Sequence, residues 1–190
     1  MNESKIILLD CDGPLTAFDE EILSLVRPHT TKEELESLKN WDFFVIFNEL
    51  ELKNSETILN DPIFWRNQKP KDLSQKMVSN LRNEGHKIIF CTSPWESCRE
   101  WEFTRRHWLK EHFGANGKND VVITAKKELI FGHVFIDDKP DHIYNWKKQW
   151  DWTGGYSLLY ETTSNKFTDC YPRIRAENGE WNFIKNEKRT

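Results

Sequence analysis

The feature that most constrains this chain is a series of short apolar runs, each of which stops at a cluster of chemically capable residues. The first is Lys5-Ile-Ile-Leu-Leu9, ending at Asp10 and Gly13. Others are Lys87-Ile-Ile-Phe-Cys91, Val121-Val-Ile-Thr124, Val134-Phe-Ile136 and Tyr156-Ser-Leu-Leu-Tyr160. Such runs suit strands buried on both faces, the kind found in parallel sheets. Helical patterns lie between them. From Asp72 to Asn83, Leu73, Met77, Val78 and Leu81 recur at helical spacing, and Gly85 supplies a stop. Ser93-Pro94 offers an N-cap and a first-turn proline for a helix from about Trp95 to Phe113, closed by Gly114. Strands alternating with helices predict an α/β fold, an open, mostly parallel sheet with helices on both faces. Ligands of such sheets bind beyond the carboxyl ends of the strands.

The alternation fails between Phe18 and Lys71. Thr30-Thr31-Lys32-Glu33 reads as a capping box that opens a helix through Leu38. The rings of Trp41, Phe43, Phe44 and Phe47 follow, and Asp61-Pro62 starts a short segment carrying Phe64 and Trp65. The expected organisation is an α/β core made of residues 1–18 and 72–190, with a helical cap inserted at residues 19–71.

Nine Trp, twelve Phe and four Tyr give a polar chain, of mean hydropathy −0.75, apolar surface worth burying. Phe90, Phe131 and Phe135, on or beside strands, and Trp101 and Trp108, on a helix, are assigned to the core. The rings from Trp41 to Phe47, with Phe18, Phe64 and Trp65, are expected to face the candidate site at the strand ends, part of them enclosing a ligand. A net charge of −4 offers no basic stripe for duplex nucleic acid, so no such partner is expected. A mononucleotide needs only one or two local cations. No apolar run approaches the ~18 residues of a membrane span, and the first residues lack a secretory pattern. Cys11, Cys91, Cys98 and Cys170 form no CxxC and read as buried free thiols of a reducing compartment. A cytoplasmic protein is expected; a homodimer is left open.

Four strand ends carry candidate chemistry. Asp10-Cys11-Asp12-Gly13 places two carboxylates two residues apart, so that one can attack an electrophile while the other moves a proton. The alternative is a loop with capping or calcium-binding aspartates, although the remaining oxygen ligands of an EF-hand are missing. Thr92 and Ser93 supply hydroxyls beside a helix N-terminus, suited to a phosphate; the plain alternative is a Ser N-cap. Lys127 would neutralise a phosphoryl oxygen, with Lys126 an adjacent competitor. Asp137-Asp138, after the fourth run, could hold Mg²⁺ together with Asp10, or could simply cap a turn. The histidines form no zinc pattern. Each signal is modest alone. Their order, an acid pair, hydroxyls, a lysine and a second acid pair at successive strand ends, is what points to one site.

That order resembles the haloacid dehalogenase superfamily, whose four motifs match Asp10/Asp12, Thr92 or Ser93, Lys127 and Asp137/Asp138. The strings DCDGPLTAF, FCTSP, VITAKK and FIDDKP, with a later strand followed by Asn165, are similar to the 5′(3′)-deoxyribonucleotidase (cytosolic type C) family. The resemblance implies a Rossmann-like fold with a cap, and Mg²⁺-dependent hydrolysis of (deoxy)nucleoside monophosphates through an aspartyl phosphate. Asp10 would be the nucleophile and Asp12 the acid and base. Thr92, Ser93 and Lys127 would hold the phosphoryl oxygens. Asp10, the carbonyl of Asp12, and Asp137 or Asp138 would bind the metal. It also implies that Phe18 meets the base, with Trp41, Phe44, Trp65 and Trp95 as further substrate-contacting candidates. Pro14, Ala125 and Trp95 depart from the family pattern and bear on substrate preference. Three other readings stand beside this one: a superfamily phosphatase acting on another small phosphate ester or a nucleic-acid end, a non-catalytic nucleotide-binding protein, and a cap whose rings form an oligomer surface.

Overall fold

The computed structural model describes residues 3–38, 41–169, 172–177 and 180–184. Five strands fall on the predicted runs: β1 (Ile6–Leu9), β2 (Lys87–Thr92), β3 (Val121–Ile123), β4 (Val134–Asp137) and β5 (Tyr156–Tyr160). Two more, β6 (Arg173–Glu177) and β7 (Glu180–Ile184), were not foreseen. Among the described residues the sheet order is β3-β2-β1-β4-β5-β6-β7, parallel throughout except for the antiparallel β6–β7 pair. The strand order reverses at β1. Its carboxyl end, and those of β2 and β4 on either side, therefore open onto one crevice, the usual ligand position of such sheets.

Side-chain alternation along the strands builds two apolar layers. Ile7 and Leu9 point to one face, where they join Val78 of α5 (Ser74–Asn83) and Trp108, Leu109 and Phe113 of α6 (Trp101–Phe113). Leu8 points to the other, with Cys91, Phe135 and Leu159, and is covered by Ile143 and Trp146 of α7 (Pro140–Trp150). The double coverage explains why β1 lacks polar alternation. Phe90, Phe135, Trp101 and Trp108 are buried as expected, but Phe131 is 43% exposed. It lies in the turn between Ile130 and Gly132 rather than on a strand, and its ring rests on His133 and Trp150.

The interrupted stretch contains α1 (Phe18–Val26), α2 (Lys32–Ser37), a short turn at Phe43–Ile46, α3 (Glu49–Leu59) and α4 (Pro62–Asn67). The capping box is present but one residue later than read: Thr31 is the N-cap and Glu34 its partner. Asp61 caps α4 as expected, while α1 and α3 were not foreseen. A third apolar cluster gathers Phe18, Ile22, Leu38, Phe43, Phe47, Leu59 and Trp65 with Cys98 and Trp101. Most rings of the insertion thus pack on one another, and only part of the group borders the cavity.

The helix expected from Trp95 begins only at Trp101, with Glu100 as an uncapped N-cap. Ser93 and Pro94 lie outside any helix or strand and cap nothing. Tertiary contacts explain the delay: the Trp95 ring packs on Trp65 and its Nε1 donates to Asn60 Oδ1 at 3.3 Å, which draws residues 94–100 towards α3. The expected free thiols Cys11, Cys91 and Cys98 are buried, whereas Cys170 lies outside the described residues. No helix among the described residues is long and apolar enough to cross a membrane.

Gly13 turns the chain after β1 at φ +87°, and a Cβ built there would lie 2.6 Å from Asp138 Cγ. Gly85 has a similar φ, +88°, with open space around it. Gly85→Ala should therefore cost only the left-handed backbone, roughly 1 kcal/mol. Gly13→Ala adds the displacement of a buried carboxylate and should cost about 2–4 kcal/mol. Urea unfolding of the two variants checks the difference.

Candidate active site

Asp10 leaves β1 with its amide donating to the Ile136 carbonyl at 2.9 Å, which stitches the end of β1 to β4. Its side chain is buried, and Oδ1 lies 2.7 Å from Lys127 Nζ. The same ammonium lies 2.7 Å from Asp137 Oδ2 at the end of β4. Lys127 begins a short turn after β3 and is 1% exposed, whereas its neighbour Lys126 is at the surface beside Glu128. Of the two lysines, Lys127 is the one buried against the acids.

Asp137 has further partners. Oδ1 accepts from the Lys139 amide at 2.8 Å, and His142 Nδ1 lies 3.1 Å from Oδ2. Burial pushes the Asp137 carboxyl up, but Lys127 and His142 outweigh it and hold it at about 2. Asp10 goes the other way. Burial, with Asp137 and Asp12 nearby, outweighs Lys127 and pushes it up to about 7. Burial likewise raises Asp138 well above the usual carboxylate range, reinforced by Asp19, Asp137 and Asp10. Lys127 is pushed upward, because Asp10 and Asp137 overcome the cost of its burial.

Carboxylate oxygens of Asp10, Asp137 and Asp138 come within 4.8 Å of one another, all buried. Mutual repulsion in a dry pocket suits a hard divalent cation, which would relieve it. Of the three, Asp137 already serves Lys127, Lys139 and His142. Asp138 is held at Oδ2 by Trp41 Nε1 at 3.0 Å, and its backbone carbonyl accepts from Asn165 Nδ2 at 2.6 Å. Asp10 and Asp138 therefore keep more free lone pairs for a cation than Asp137 does.

Asp12 stands apart from this cluster. Its side chain is 25% exposed, Thr16 Oγ1 donates to Oδ1 at 3.2 Å, and Arg105 Nη2 reaches Oδ1 at 2.8 Å and Oδ2 at 3.1 Å. Arg105, fully buried on α6, was missed in the sequence. One basic residue in a helix that carries several gives no local signal of its burial. At the end of β2, the hydroxyls of Thr92 and Ser93 are buried without a hydrogen-bond partner among the described residues. Orphaned donors of this kind call for an acceptor. Ser93 borders the cavity, whereas Thr92 is not among its lining residues.

The cavity has a volume of about 460 Å³ and is bounded below by Asp10, Asp12, Lys127 and Asp138. Phe18, Trp41, Phe44, Trp65 and Trp95 all border it, with Trp101, Ala125, Lys139 and His142. Trp65 serves as back wall: it is 2% exposed and stacked on Phe18 at 5.7 Å. Trp41, Phe44 and Trp95 are half-buried. Lys139 Nζ sits 4.7 Å from the centre of the Trp41 ring, a cation–π contact at the rim.

The family described as 5′ nucleotidase, deoxy (Pyrimidine), cytosolic type C protein matches residues 4–185. The chain belongs to this family. Its relatives include the 5′(3′)-deoxyribonucleotidase of Clostridium acetobutylicum, 23% identical over 88% of this chain and 87% of that protein. The cytosolic type 5′(3′)-deoxyribonucleotidase of Homo sapiens is 21% identical, covering 100% of this chain and 97% of that one. A match of 26% to the mitochondrial 5′(3′)-deoxyribonucleotidase of Mus musculus spans 60% of this chain and 50% of that protein. Among solved structures, a haloacid dehalogenase-like hydrolase of Burkholderia xenovorans superposes with a TM-score of 0.54 at 14% identity, over 94% of each chain. The fold is therefore haloacid dehalogenase-like, as the type C family resemblance implied.

Because Asp10 keeps its proton up to about 7 in the fold, while an unfolded Asp releases it near ~4, its contribution to stability is present at low pH. That contribution is lost as pH rises through about 7. Lys127→Met removes the cation that offsets the Asp10 charge, whereas Asp137 keeps His142. Unfolding free energy should fall by about 2–4 kcal/mol near pH ~8 and by less near pH ~5.5. Urea titrations at the two pH values measure this; equal losses would contradict it.

Proposed function

We propose that this chain is a Mg²⁺-dependent phosphatase that hydrolyses deoxynucleoside monophosphates to nucleoside and phosphate. The observation that carries the reading is the convergence at one crevice of a buried carboxylate paired with Lys127 at 2.7 Å, a second carboxylate on Asp12 and the Ser93 hydroxyl, which has no hydrogen-bond partner among the described residues. The cavity above them is walled by rings and is of mononucleotide size. The names of the relatives support the substrate class.

Asp10 attacks phosphorus in line, forming an aspartyl phosphate as the ester bond breaks. Asp12 gives its proton to the leaving ester oxygen. It then takes a proton from the water that hydrolyses the intermediate, so the pair of steps returns the enzyme unchanged. Lys127 and the Thr92 and Ser93 hydroxyls hold phosphoryl oxygens, and Asp137 fixes Lys127. Asp10, Asp138 and the Asp12 carbonyl hold Mg²⁺, which neutralises phosphate charge when bound. Residues 19–71 act as a cap. The exposed parts of Phe18, Trp41, Phe44 and Trp95 meet the base, with Trp65 behind them. The protein acts in the cytoplasm on a small-molecule substrate.

Purified protein with Mg²⁺ should release phosphate from deoxynucleoside monophosphates. Chelation should stop the reaction, and renewed Mg²⁺ should restore it. Asp10→Asn should lower kcat by at least ~10³-fold; a variant as active as the parent would rule the nucleophile out. Trp95→Ala should raise KM for nucleotides roughly fivefold or more, from the ~1–3 kcal/mol of a base stack. The same change should leave kcat/KM for a ring-free phosphate ester within about twofold. A panel of nucleoside, sugar and aryl phosphates measures both.

A further inference from the structure

Arg105 is the least expected charged group in the molecule. It is 0% exposed, on α6, with its guanidinium carbon 5.2 Å from the ring centre of Trp65 and 5.5 Å from those of both Trp101 and Trp108. Three indoles thus surround a cation that has no water to solvate it. Such cages hold cations through the ring quadrupoles. Nε and Nη1 make no hydrogen bond among the described residues, so the polar contacts of the group fall on Nη2. Nη2 reaches both oxygens of Asp12, at 2.8 and 3.1 Å, and Gln68 Oε1 at 3.2 Å. Gln68 is itself pinned, its backbone carbonyl accepting from Trp108 Nε1 at 2.6 Å.

The cage fixes the guanidinium, and the guanidinium fixes Asp12. A solvated loop carboxylate has several rotamers, and only one can face the leaving oxygen. Holding that rotamer is worth rate, because misplacement by about 1 Å can cost ~10²-fold. Arg105 is not among the residues that line the cavity, so it acts through Asp12 and not on the substrate. Trp65 turns one face to Phe18 beside the cavity and also contacts the guanidinium. The ring wall that borders the substrate is therefore part of the support of the proton-transfer group.

We propose that Arg105, caged by Trp65, Trp101 and Trp108, is a positioning residue that holds Asp12 for proton transfer to the leaving group. The inference rests on the role of Asp12 proposed above. The test compares kcat/KM, which reports the steps through ester cleavage, on a deoxynucleoside monophosphate and on p-nitrophenyl phosphate. The first leaves as a poor alkoxide and needs the proton; the second leaves as a stable phenolate and does not. Arg105→Gln should lower kcat/KM on the nucleotide at least ~10-fold more than on the aryl ester, with nucleotide KM within about threefold. Arg105→Lys, which keeps a charge on a shorter stem, should recover part of the loss. In an Asp12→Asn background, Arg105→Gln should cost little more.

Circular dichroism and thermal melting establish that each variant is folded, and the comparison is read on Arg105→Lys where Arg105→Gln does not fold. An equal loss on both substrates, or full additivity with Asp12→Asn, would overturn the positioning role. A parent protein inert on both esters, or an Asp12→Asn variant without leaving-group selectivity, would instead overturn the proposed function.

Discussion

The Lys127 ammonium, buried between Asp10 and Asp137 at 2.7 Å from each, is the interaction on which the rest of the site depends. It joins the turn after β3 to the ends of β1 and β4, so one side chain ties three parallel strands together at their carboxyl edge. Two buried carboxylates so close would otherwise repel at high cost. The cation settles the conflict unequally. Asp137, with His142 and the Lys139 amide as well, is held at about 2, whereas Asp10 rises to about 7. The environment therefore divides like residues into a fixed anchor and a group whose charge is held at a cost, the pattern expected where one carboxylate reacts and its neighbour does not.

Residues 19–71 meet this edge through specific side-chain contacts. Trp41 donates to Asp138, Phe18 stacks on Trp65, and Trp65 with Trp101 and Trp108 encloses Arg105. The aromatic excess of the composition is thereby divided. Phe43, Phe47 and Trp65 are buried in the third apolar cluster, while Trp41, Phe44 and Trp95 keep surface towards the cavity. The buried rings share that cluster with Ile22, Leu23, Leu38 and Leu59, so aromatic and aliphatic side chains fill it together.

Much of this was legible in the residues, for physical reasons that also explain what was not. β1 to β5 could be read because strands covered on both faces must be continuously apolar. β6 and β7 were not read, because Arg173-Ile-Arg-Ala-Glu177 carries no continuous apolar run and its alternation is short and heavily charged. Asn178-Gly179 between them, a strong hairpin dipeptide, was the available signal. The start of α6 was misplaced because Ser93-Pro94 satisfies every local rule for a cap, and the anchoring of Trp95 on Asn60 and Trp65 overrides it. Asp10, Asp12, Lys127, Asp137 and Asp138 were singled out because each lies at or shortly after the end of an apolar run, and the structure gathers Asp10, Lys127, Asp137 and Asp138 within contact of one another. Arg105 lies mid-helix among Arg99, Arg106 and Lys110, and only its three-dimensional cage distinguishes it.

The central claim is that Asp10 takes the phosphoryl group covalently, with the surrounding charges arranged for that event. Rapid quenching during turnover of a deoxynucleoside monophosphate, followed by borohydride reduction and peptide mass mapping, tests it most directly. Reduction of an acyl phosphate converts the modified aspartate to homoserine. The account predicts homoserine at position 10, and at no other aspartate, only when substrate and Mg²⁺ are both present. Steady phosphate release with Asp10 unmodified, or with the mark on Asp12, Asp137 or Asp138, would contradict it.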